Sequence, residues 1–552
     1  MATAATSSTA PTAPTGGPPV TGAGAGAWRP GPCCDGPVRR SRAFDPRQRM
    51  TMALACVTTS VLFSSAPSIT LALPTIQRDL DATASTLRWI VIAAQLPLCC
   101  LAAASGRLAD LLGYRTVLRS ALLCFAVASA FCALGPTGHW LIAGRVLQGV
   151  AVALAAPLGI ALLAREIPLR MRGWALGTLA LSITLTSTTA PYLVAALTDF
   201  ADWRWGFGVY TAAGLVLFVL AGRERYGTGR TAVPMDWKGL LTLTGGLTLV
   251  VVSLERVAAW GHRDLPALLL LLAGAALLLL FALVERATSD PLIDLGMCRR
   301  PNVVAAGAGL ALTQWASLAL SIYLSLYLQQ VLGYSALQAG LVALPGALGP
   351  LLLPRLVGRL HDYAPNWWTV VGGALLGAVS LMLVALAVDR GHLVTLMLAL
   401  LAFGFATPLV YTPANSFAMS AVPTAAYGLI GGFTTTARQL GGVLGLAVSG
   451  MFFAQVQAGA LTRLTRTEGL GSVQQHDLDS LVADGERGRR LLDSLSPPSA
   501  QAVLDTASGA YTAGFLTVLL VNAGLLALGS ASMLVALRHR MSGLTGEAGR
   551  PG

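Results

Sequence analysis

Charged side chains are scarce in this chain. Asp, Glu, Lys and Arg together make up 11% of its 552 residues, whereas 55% of the residues are hydrophobic. Apolar windows of roughly 20 residues, the length that an α-helix needs to cross a hydrocarbon core of about 30 Å, recur along almost the whole chain. The composition therefore excludes an ordinary soluble protein and predicts an all-α polytopic membrane protein, with the lipid bilayer as a partner.

The residue groupings on which enzymes and metalloproteins depend are also absent. The six histidines are scattered, and neither of the adjacent cysteine pairs Cys33–Cys34 and Cys99–Cys100 has a second pair with histidines nearby at zinc spacing. We therefore expect neither a disulfide framework nor a zinc site. The sequence has no Ser/His/Asp grouping, no pair of catalytic carboxylates and no phosphate-binding Gly loop with its Lys. These absences argue against an enzyme and against ATP as the energy source, and no cofactor is expected.

About fourteen apolar segments are long enough to be predicted as membrane spans, with boundaries good to roughly 2 to 4 residues. An even number of spans places both termini on the same side of the membrane. The predicted spans are 50–72, 87–105, 117–134, 140–163, 174–197, 206–221, 239–255, 265–284, 303–327, 337–357, 369–388, 393–412, 429–454 and 511–537.

Arginine and lysine are concentrated in every second connection between these spans. Because short loops rich in Lys and Arg stay in the cytoplasm, this bias predicts a cell-membrane protein with both termini cytoplasmic. The formal net charge of +12 then follows from topology, and nucleic acid is not an expected partner. Apart from one long loop, the opposite connections are poor in basic residues and carry Arg78, Arg88, Arg204, Arg256, Arg263 and Arg390.

A five-residue phrase occurs twice, as Gly106–Asp110 and as Gly358–Asp362, each time directly after an apolar run where a hairpin turn is expected. Charged, glycine-led turns at corresponding points of two hydrophobic halves are typical of transporters built from internal repeats. Asp110 suits a helix N-terminus, and Arg115 suits an acid or a helix C-terminus. The predicted cytoplasmic latch consists of Gly106, Asp110, Gly113, Arg115, Gly358 and Asp362.

The segment from Gly106 to Arg115 matches the pattern Gly-x-Leu-x-Asp-x-x-Gly-x-Arg, and in this it resembles the major facilitator superfamily, which carries that signature after its second helix. Further stretches resemble the fourteen-helix drug/proton antiporter branch of the family, so that the likeness covers nearly everything from residue 50 to 540. They are Arg145–Gly149, Trp203–Trp205, Pro291–Leu295, Tyr327–Ser335, Gln338–Gly340 and Arg438–Gly442.

The resemblance implies the major facilitator fold, with two six-helix bundles and two helices inserted between them. The first residues, rich in Ala, Thr, Pro and Gly, are predicted to form a disordered tail. The expected division is a cytoplasmic tail at 1–48, an N-terminal six-helix bundle at 49–222, a linker with two inserted helices at 223–300, a C-terminal six-helix bundle at 301–540 with an external loop at 457–509, and a cytoplasmic tail at 541–552.

The resemblance also implies a function. We expect a monomeric secondary active transporter that exports drug-like or self-made small molecules by alternating access, driven by an ion gradient with protons as the coupling ion. An uptake system or facilitator on the same fold is one alternative. A membrane sensor that has lost transport is another.

Arg145 is expected inside the fourth span, where burying a guanidinium costs roughly 2.5 to 3.5 kcal/mol. In the resembling family this arginine is linked to proton coupling, and Gln148 lies one helical turn away in the same polar patch. A packing arginine bonded to carbonyls of neighbouring helices is the alternative. Arg438 is the corresponding cation of the second half, and it either serves the site or reaches back to the membrane interface.

Two departures from the family pattern bear on coupling. Ser65 occupies the position at which this branch usually carries an aspartate, and Ala190–Ala195 retains only the proline of the usual Gly-Pro-x-x-Gly-Gly. No Asp or Glu lies near the middle of a span, and Glu255, the nearest, reads as interfacial. Two alternatives stay open: Arg145 favours an anionic substrate, or Asp79 and Asp81 serve as its partners.

Polar and aromatic residues inside the spans are the candidates for a substrate cavity. Apolar walls with few fixed charges favour a lipophilic or amphiphilic small molecule. An aromatic residue on a helix is, however, more often part of the core than a ligand contact. The candidates are Gln95, Gln314, Trp315, Tyr323, Tyr411, Asn415 and Asn522.

Overall fold

The computed structural model describes most of the chain. The described residues are 46–167, 169–223, 236–260, 264–288, 296, 300–354, 356–357, 367–420, 427–467 and 497–547. Within these ranges the chain forms helices and no β-strand. The helices are α1 (Pro46–Ser68), α2 (Leu73–Leu80), α3 (Ala84–Leu112), α4 (Tyr114–Ala133), α5 (Gly138–Glu166), α6 (Leu169–Phe200), α7 (Arg204–Arg223), α8 (Trp237–Trp260), α9 (Leu265–Ala287), α10 (Pro301–Leu326), α11 (Ala336–Leu352), α12 (Trp368–Arg390), α13 (Leu393–Ser420), α14 (Tyr427–Thr467) and α15 (Pro497–Glu547).

Each predicted span coincides with one of these helices. Thirteen helices within the described ranges are long and apolar enough to cross a membrane. The remaining span corresponds to α11, which has 17 residues and contains Pro345 and Pro350. The expectation of an all-α membrane protein is therefore confirmed.

The connection after the first span contains a helix that the sequence pattern did not predict. Helix α1 ends at Ser68, four residues before the predicted end of the span at 72. Tight turns follow, in which the amide of Thr70 donates to Pro67 O and the amide of Ala72 donates to Ile69 O. Helix α2 then begins, with Pro74 in its first turn, where a missing N–H does not matter.

The long connection before the last span is shorter than the predicted 457–509. Helix α14 continues to Thr467, because the extension contains no proline that would end it. Helix α15 already begins at Pro497, since proline is well tolerated in the first turn of a helix. At its other end α15 continues to Glu547, past the predicted boundary at 540, and α1 begins at Pro46 instead of 49.

The helices pack as two groups that meet along two pairs of helices. In the first group α3 packs on α5, α4 on α7 and α1 on α6. In the second group α12 packs on α13, α10 on α14 and α11 on α13. The two groups contact each other where α3 meets α14 and where α6 meets α11. The inserted helix α8 packs against α3 and α14, and α9 packs against α8.

Candidate functional site

The Arg145 side chain on α5 is fully buried, with 0% of its surface exposed. Its Nε donates to Ile90 O of α3 at 3.1 Å, and its Nη1 donates to Ser65 O of α1 at 3.1 Å. Nη2 donates to Ala66 O at 3.4 Å. Nη1 also donates to the Gln148 side chain at 3.0 Å. The guanidinium therefore ties three helices together through oxygen atoms that carry no formal charge.

The end of α1 explains why carbonyl groups are available to this arginine. The last four carbonyls of a helix have no partner within the helix, and the helix dipole makes that end negative. Ser65 and Ala66 belong to this last turn, since α1 ends at Ser68. Arg145 thus caps α1 from a neighbouring helix.

Gly149 lets α5 approach α3 closely enough for these bonds to form. A Cβ atom at this position would lie 2.4 Å from Ala94 O of α3, which no side chain tolerates. Gln148 completes the group, because its Nε2 donates to the Ser129 hydroxyl of α4 at 2.7 Å. The stretch Arg145–Gly149 is therefore a packing and hydrogen-bonding unit, and its role in coupling stays a prediction.

Asp79 bonds to residues of its own half, away from Arg145. Its Oδ2 accepts from Trp203 Nε1 at 3.0 Å and from Arg204 Nη1 at 2.8 Å. Two residues of the family-like stretch Trp203–Trp205 thus bind the C-terminal part of α2. Asp81 ends α2 in a left-handed conformation.

In the second half, the structure brings Gln314, Tyr411 and Arg438 together from α10, α13 and α14. The Tyr411 hydroxyl donates to Gln314 Oε1 at 2.7 Å, and Arg438 Cζ lies 5.9 Å from the centre of the Tyr411 ring. Gln95 of α3 approaches this group, because a Cβ atom on Gly442 would lie 3.1 Å from Gln314 Cγ and 3.5 Å from Gln95 Oε1. We call these four side chains, Gln95, Gln314, Tyr411 and Arg438, the central polar group.

The other cavity candidates do not all join the central polar group. Trp315 Nε1 donates to Asn522 Oδ1 of α15 at 2.8 Å, which forms a second hydrogen-bonded pair. Asn415 Nδ2 donates to the Tyr411 carbonyl one turn earlier on its own helix. Tyr323 lies farther along α10, with its ring centre 4.9 Å from that of Phe453. The sequence therefore proposed one cavity, whereas the structure separates its residues into groups.

The glycines in and after the stretch Arg438–Gly442 allow close packing of helices. Their spacing in the sequence suggests the same role. A Cβ atom on Gly441 would lie 2.1 Å from Ala311 O of α10, and one on Gly445 would lie 2.5 Å from the Trp315 ring. Glycine at these positions brings α14 against α10. This approach sets Arg438 beside Tyr411.

A sequence profile of the Major Facilitator Superfamily matches residues 53–446. The chain belongs to this superfamily. It is 31% identical to the cephamycin export protein of Amycolatopsis lactamdurans, over 72% of this chain and 83% of that protein. It is 30% identical to a puromycin resistance protein of Streptomyces alboniger, over 75% of this chain and 82% of that protein. The chain is accordingly a multi-pass membrane transporter and not an enzyme.

A solved structure supports the facilitator fold. The crystal structure of a bacterial homologue of the human lysosomal transporter Spinster, in an inward-facing and unoccupied conformation, matches with a TM-score of 0.61. The match covers 89% of this chain and 98% of that one at 14% identity. At this identity the likeness concerns the fold alone.

Several hydrogen bonds join the two halves of the facilitator fold at one end of the molecule, which we call the Asp199 end. The Asp199 carboxylate of α6 accepts from the Ser335 hydroxyl at 2.6 Å and from the amides of Ala336 and Leu337 at 3.2 and 3.0 Å. It therefore caps the N-terminus of α11 in the other half. Gln330 Nε2 donates to the Gln77 side chain at 2.6 Å.

The stretch Tyr327–Ser335 supplies much of this junction. Gln329 Nε2 donates to Leu71 O at 2.9 Å, and the Ser325 hydroxyl donates to Thr70 O at 2.9 Å. Gln329 lies in a π-helical segment, Tyr327–Val331, that follows α10, whereas Ser325 lies in the last turn of α10 itself. The sequence marked Tyr327–Ser335 as a stretch that resembles the family. It could not show that this stretch contacts the other half.

A buried ion pair was missed by the sequence analysis. Arg88 of α3 and Glu255 of the inserted helix α8 have side chains that are 5% and 3% exposed. Arg88 Nε lies 3.1 Å from both carboxylate oxygens, and Nη2 lies 3.0 Å from Oε2. A Cβ atom on Gly450 of α14 would lie 2.5 Å from Arg88 Nε. Arg88 is therefore no loop residue, and Glu255 is not merely interfacial.

The first predicted latch lies mostly within a helix and not in a turn. Helix α3 continues to Leu112, and the turn is made by Gly113 with φ +91°, a conformation that glycine adopts without strain. The Arg115 guanidinium donates to the carbonyl of Gly222 at the C-terminal end of α7. A helix C-terminus is one of the two kinds of partner predicted for Arg115. The side chain of Asp110 and the second phrase, Gly358–Asp362, lie outside the described residues.

Proposed function

We propose that this protein exports drug-like or self-made small molecules across the cell membrane. The observation that carries the proposal is its similarity, over more than two thirds of the chain, to relatives that are an antibiotic export protein and an antibiotic resistance protein. The substrate is a lipophilic or amphiphilic small molecule, and the transporter works as a monomer. The central polar group, which lies where the two halves meet, supports a binding site within the span.

The orientation of the transporter follows from the positive-inside bias. The end that contains Arg115 and the C-terminal turn of α7 is cytoplasmic, together with both termini, and the Asp199 end faces outward. In this orientation the hydrogen bonds around Asp199 close the external side. The alternating-access cycle then requires that the bonds of Asp199, Gln329 and Gln330 to the opposite half break when the transporter opens outward.

An ion gradient drives the export step, with protons as the coupling ion. Ser65 replaces the usual acid of the first span, so the coupling acid lies elsewhere. Arg145 organises the part of the first span around Ser65, because its Nη1 donates to the carbonyl of Ser65 at 3.1 Å. Arg145 and Gln148 hold the last turn of α1, and this links the first span to α3 and α5.

Everted membrane vesicles test the export proposal. Vesicles that contain the parent protein should accumulate a hydrophobic antibiotic when a pH gradient is imposed, and dissipation of the gradient should abolish the accumulation. Cells that produce the protein should tolerate that antibiotic at a higher concentration. Accumulation no greater than in vesicles that lack the protein would contradict the proposal.

Cysteine labelling tests the orientation. Phe200 lies at the Asp199 end and is 83% exposed, and Leu112 lies at the opposite end and is 48% exposed. In intact cells a membrane-impermeant maleimide should label Phe200→Cys, whereas Leu112→Cys should react only after permeabilisation. The reverse pattern would show that the termini face outward.

A further inference from the structure

Two arginines lie deep within helices of the two halves, and their surroundings differ. Arg145 is fully buried and bonded to oxygen atoms of the protein. Arg438 keeps part of its surface exposed, and none of the ion pairs within the described part of the chain involves it. It lies eleven positions after Tyr427, the start of α14, which is about 16 Å along the helix axis. Of the two cations, Arg438 is the one that can bind a further group.

The immediate neighbours of Arg438 are polar, uncharged and partly exposed. The Tyr411 ring lies 5.9 Å from Arg438 Cζ, and the Tyr411 hydroxyl is bonded to Gln314. All three side chains retain some exposure, so each borders space that the protein itself does not fill. Gln95 reaches the same place from the opposite half, next to Gly442. The cation therefore lies where both halves can contact one substrate.

In the neighbouring hydrogen-bonded pair Trp315–Asn522, one donor has no acceptor among the described residues. Asn522 is 1% exposed, and its Nδ2 has no acceptor among the described residues. The orientation of the amide follows from Trp315, because an indole N–H can only donate and must face Oδ1. A buried donor of this kind favours a ligand or a water molecule that brings an acceptor oxygen.

The chain offers no counter-charge for a cationic substrate at this depth. No Asp or Glu in the sequence lies near the middle of a predicted span. A cation that enters a site of low dielectric without a carboxylate loses its hydration, and here it also meets the charge of Arg438. An anion in the same place is attracted. The planar guanidinium can in addition bind both oxygens of a carboxylate at once.

We propose that Arg438 is the substrate-binding cation of this transporter, and that the protein selects amphiphiles that carry a carboxylate or another acidic oxygen over lipophilic cations of similar shape. The proposal rests on the export function stated above and specifies its substrate class. Tyr411 and Gln314 position the guanidinium. Arg145 contributes to the fold of the first half and does not contact the substrate.

Three dyes that share a xanthene ring system provide the test: an anionic fluorescein, a neutral fluorescein ester and a cationic rhodamine. Accumulation of each is measured in everted vesicles that contain equal amounts of protein. The parent should accumulate the anion about tenfold faster than the cation, which corresponds to about 1.4 kcal/mol of discrimination. Arg438→Gln should abolish this preference, and Arg438→Glu should reverse it.

Two further variants separate substrate binding from folding. Arg438→Lys keeps the positive charge without the planar fork, and it should retain part of the preference for the anion. Arg390→Gln removes an exposed arginine at the end of α12, and it should leave the preference unchanged. Each variant is first compared with the parent in yield and in thermal unfolding.

The possible failures of the two proposals can be told apart. If the parent accumulates the cation as fast as the anion, or if Arg438→Gln slows all three dyes equally, the substrate class is wrong and export stands. If none of the three dyes accumulates above the level in protein-free vesicles, the export function itself is contradicted.

Discussion

At the scale of single residues, Arg145 shows how a buried cation is stabilised without an acid. Its partners Ser65 and Ala66 are carbonyl groups at the C-terminal end of α1, where the helix dipole is negative. A hydrogen bond to a charged donor contributes about 1.5–3 kcal/mol. Several such bonds offset the cost of burial, so a carboxylate partner is not needed.

Replacement of Arg145 should therefore affect both the fold and the transport of substrate. Arg145→Ala removes the guanidinium donors from the carbonyls of Ser65 and Ala66, of which Ser65 O keeps the Ser68 hydroxyl as a donor at 3.1 Å. We expect a loss of stability of about 3 kcal/mol or more together with loss of flux. Arg145→Lys keeps the charge but lacks the planar fork that reaches α1 and α3 at once. Its stability and its flux should therefore lie between those of the parent and those of Arg145→Ala.

Thermal unfolding in detergent and flux in proteoliposomes measure the two effects of Arg145 separately. Arg390→Ala serves as the control, because this arginine is exposed at the end of α12. Unchanged stability and flux in Arg145→Ala would show that the four bonds contribute nothing.

At the scale of helices, the inserted helix α8 is part of the junction between the two halves. Its Glu255 carboxylate pairs with Arg88 of α3, and Gly450 of α14 packs directly on that arginine. The pair therefore stands where a helix of each half meets the inserted helix. Removal of one partner from a buried ion pair leaves an uncompensated charge, which costs about 3–5 kcal/mol.

Glu255→Gln should consequently destabilise the protein by several kcal/mol, since the buried guanidinium of Arg88 loses the charge of the Glu255 carboxylate. The double variant Arg88→Met with Glu255→Met should recover most of the lost stability, because no charge is then buried. Thermal unfolding of the single and double variants measures both effects. A double variant that is less stable than the single one would contradict this account.

The pair Arg256–Asp264 provides a matched control on the same helix. Its side chains are 41% and 15% exposed, so it is a more accessible pair. Asp264→Asn should cost no more than about 1 kcal/mol. The comparison shows whether burial, and not the presence of an ion pair as such, makes Glu255 important.

At the scale of the whole molecule, the hydrogen bonds at the Asp199 end hold the two halves together on one side. They join α6 to the start of α11, and they join the end of α10 and the π-helical segment after it to the chain between α1 and α2. The bonds involve side chains near the ends of helices. They can therefore break without loss of the helices themselves, which a cycle between two states requires.

A cross-link between the halves should stop the transport cycle. The Asp199 carboxylate lies 2.6 Å from the Ser335 hydroxyl, so the two side chains are neighbours, and we expect the pair Asp199→Cys and Ser335→Cys to form a disulfide bond when oxidised. Mild oxidation should abolish flux in the double variant, and reduction should restore it. The two single variants, oxidised in the same way, should retain their flux. Full flux in the cross-linked protein would show that this end does not open.

Sequence alone determined the class of the protein and the positions of its long apolar helices. Long apolar runs have no stable alternative to helices in a bilayer, because backbone groups there must be bonded within the segment. For the same reason the predicted spans coincide with the helices of the structure. The family-like stretches Arg145–Gly149 and Arg438–Gly442 also marked segments with close helix contacts, since glycine in a span lets the backbones of two helices approach closely.

Tertiary structure decided which of the singled-out residues meet. The sequence could not show that Arg88 pairs with Glu255, that Asp199 caps α11, or that Arg145 ends on carbonyls, because partners up to 167 residues apart are joined only by packing. It placed Tyr323 with Tyr411, although about 13 Å of α10 separates Tyr323 from Gln314, the partner of Tyr411. Helix ends also shifted, since turns such as the one at Gly113 depend on local backbone geometry. Contacts between distant segments have no local signature, and for this reason only the folded chain reveals them.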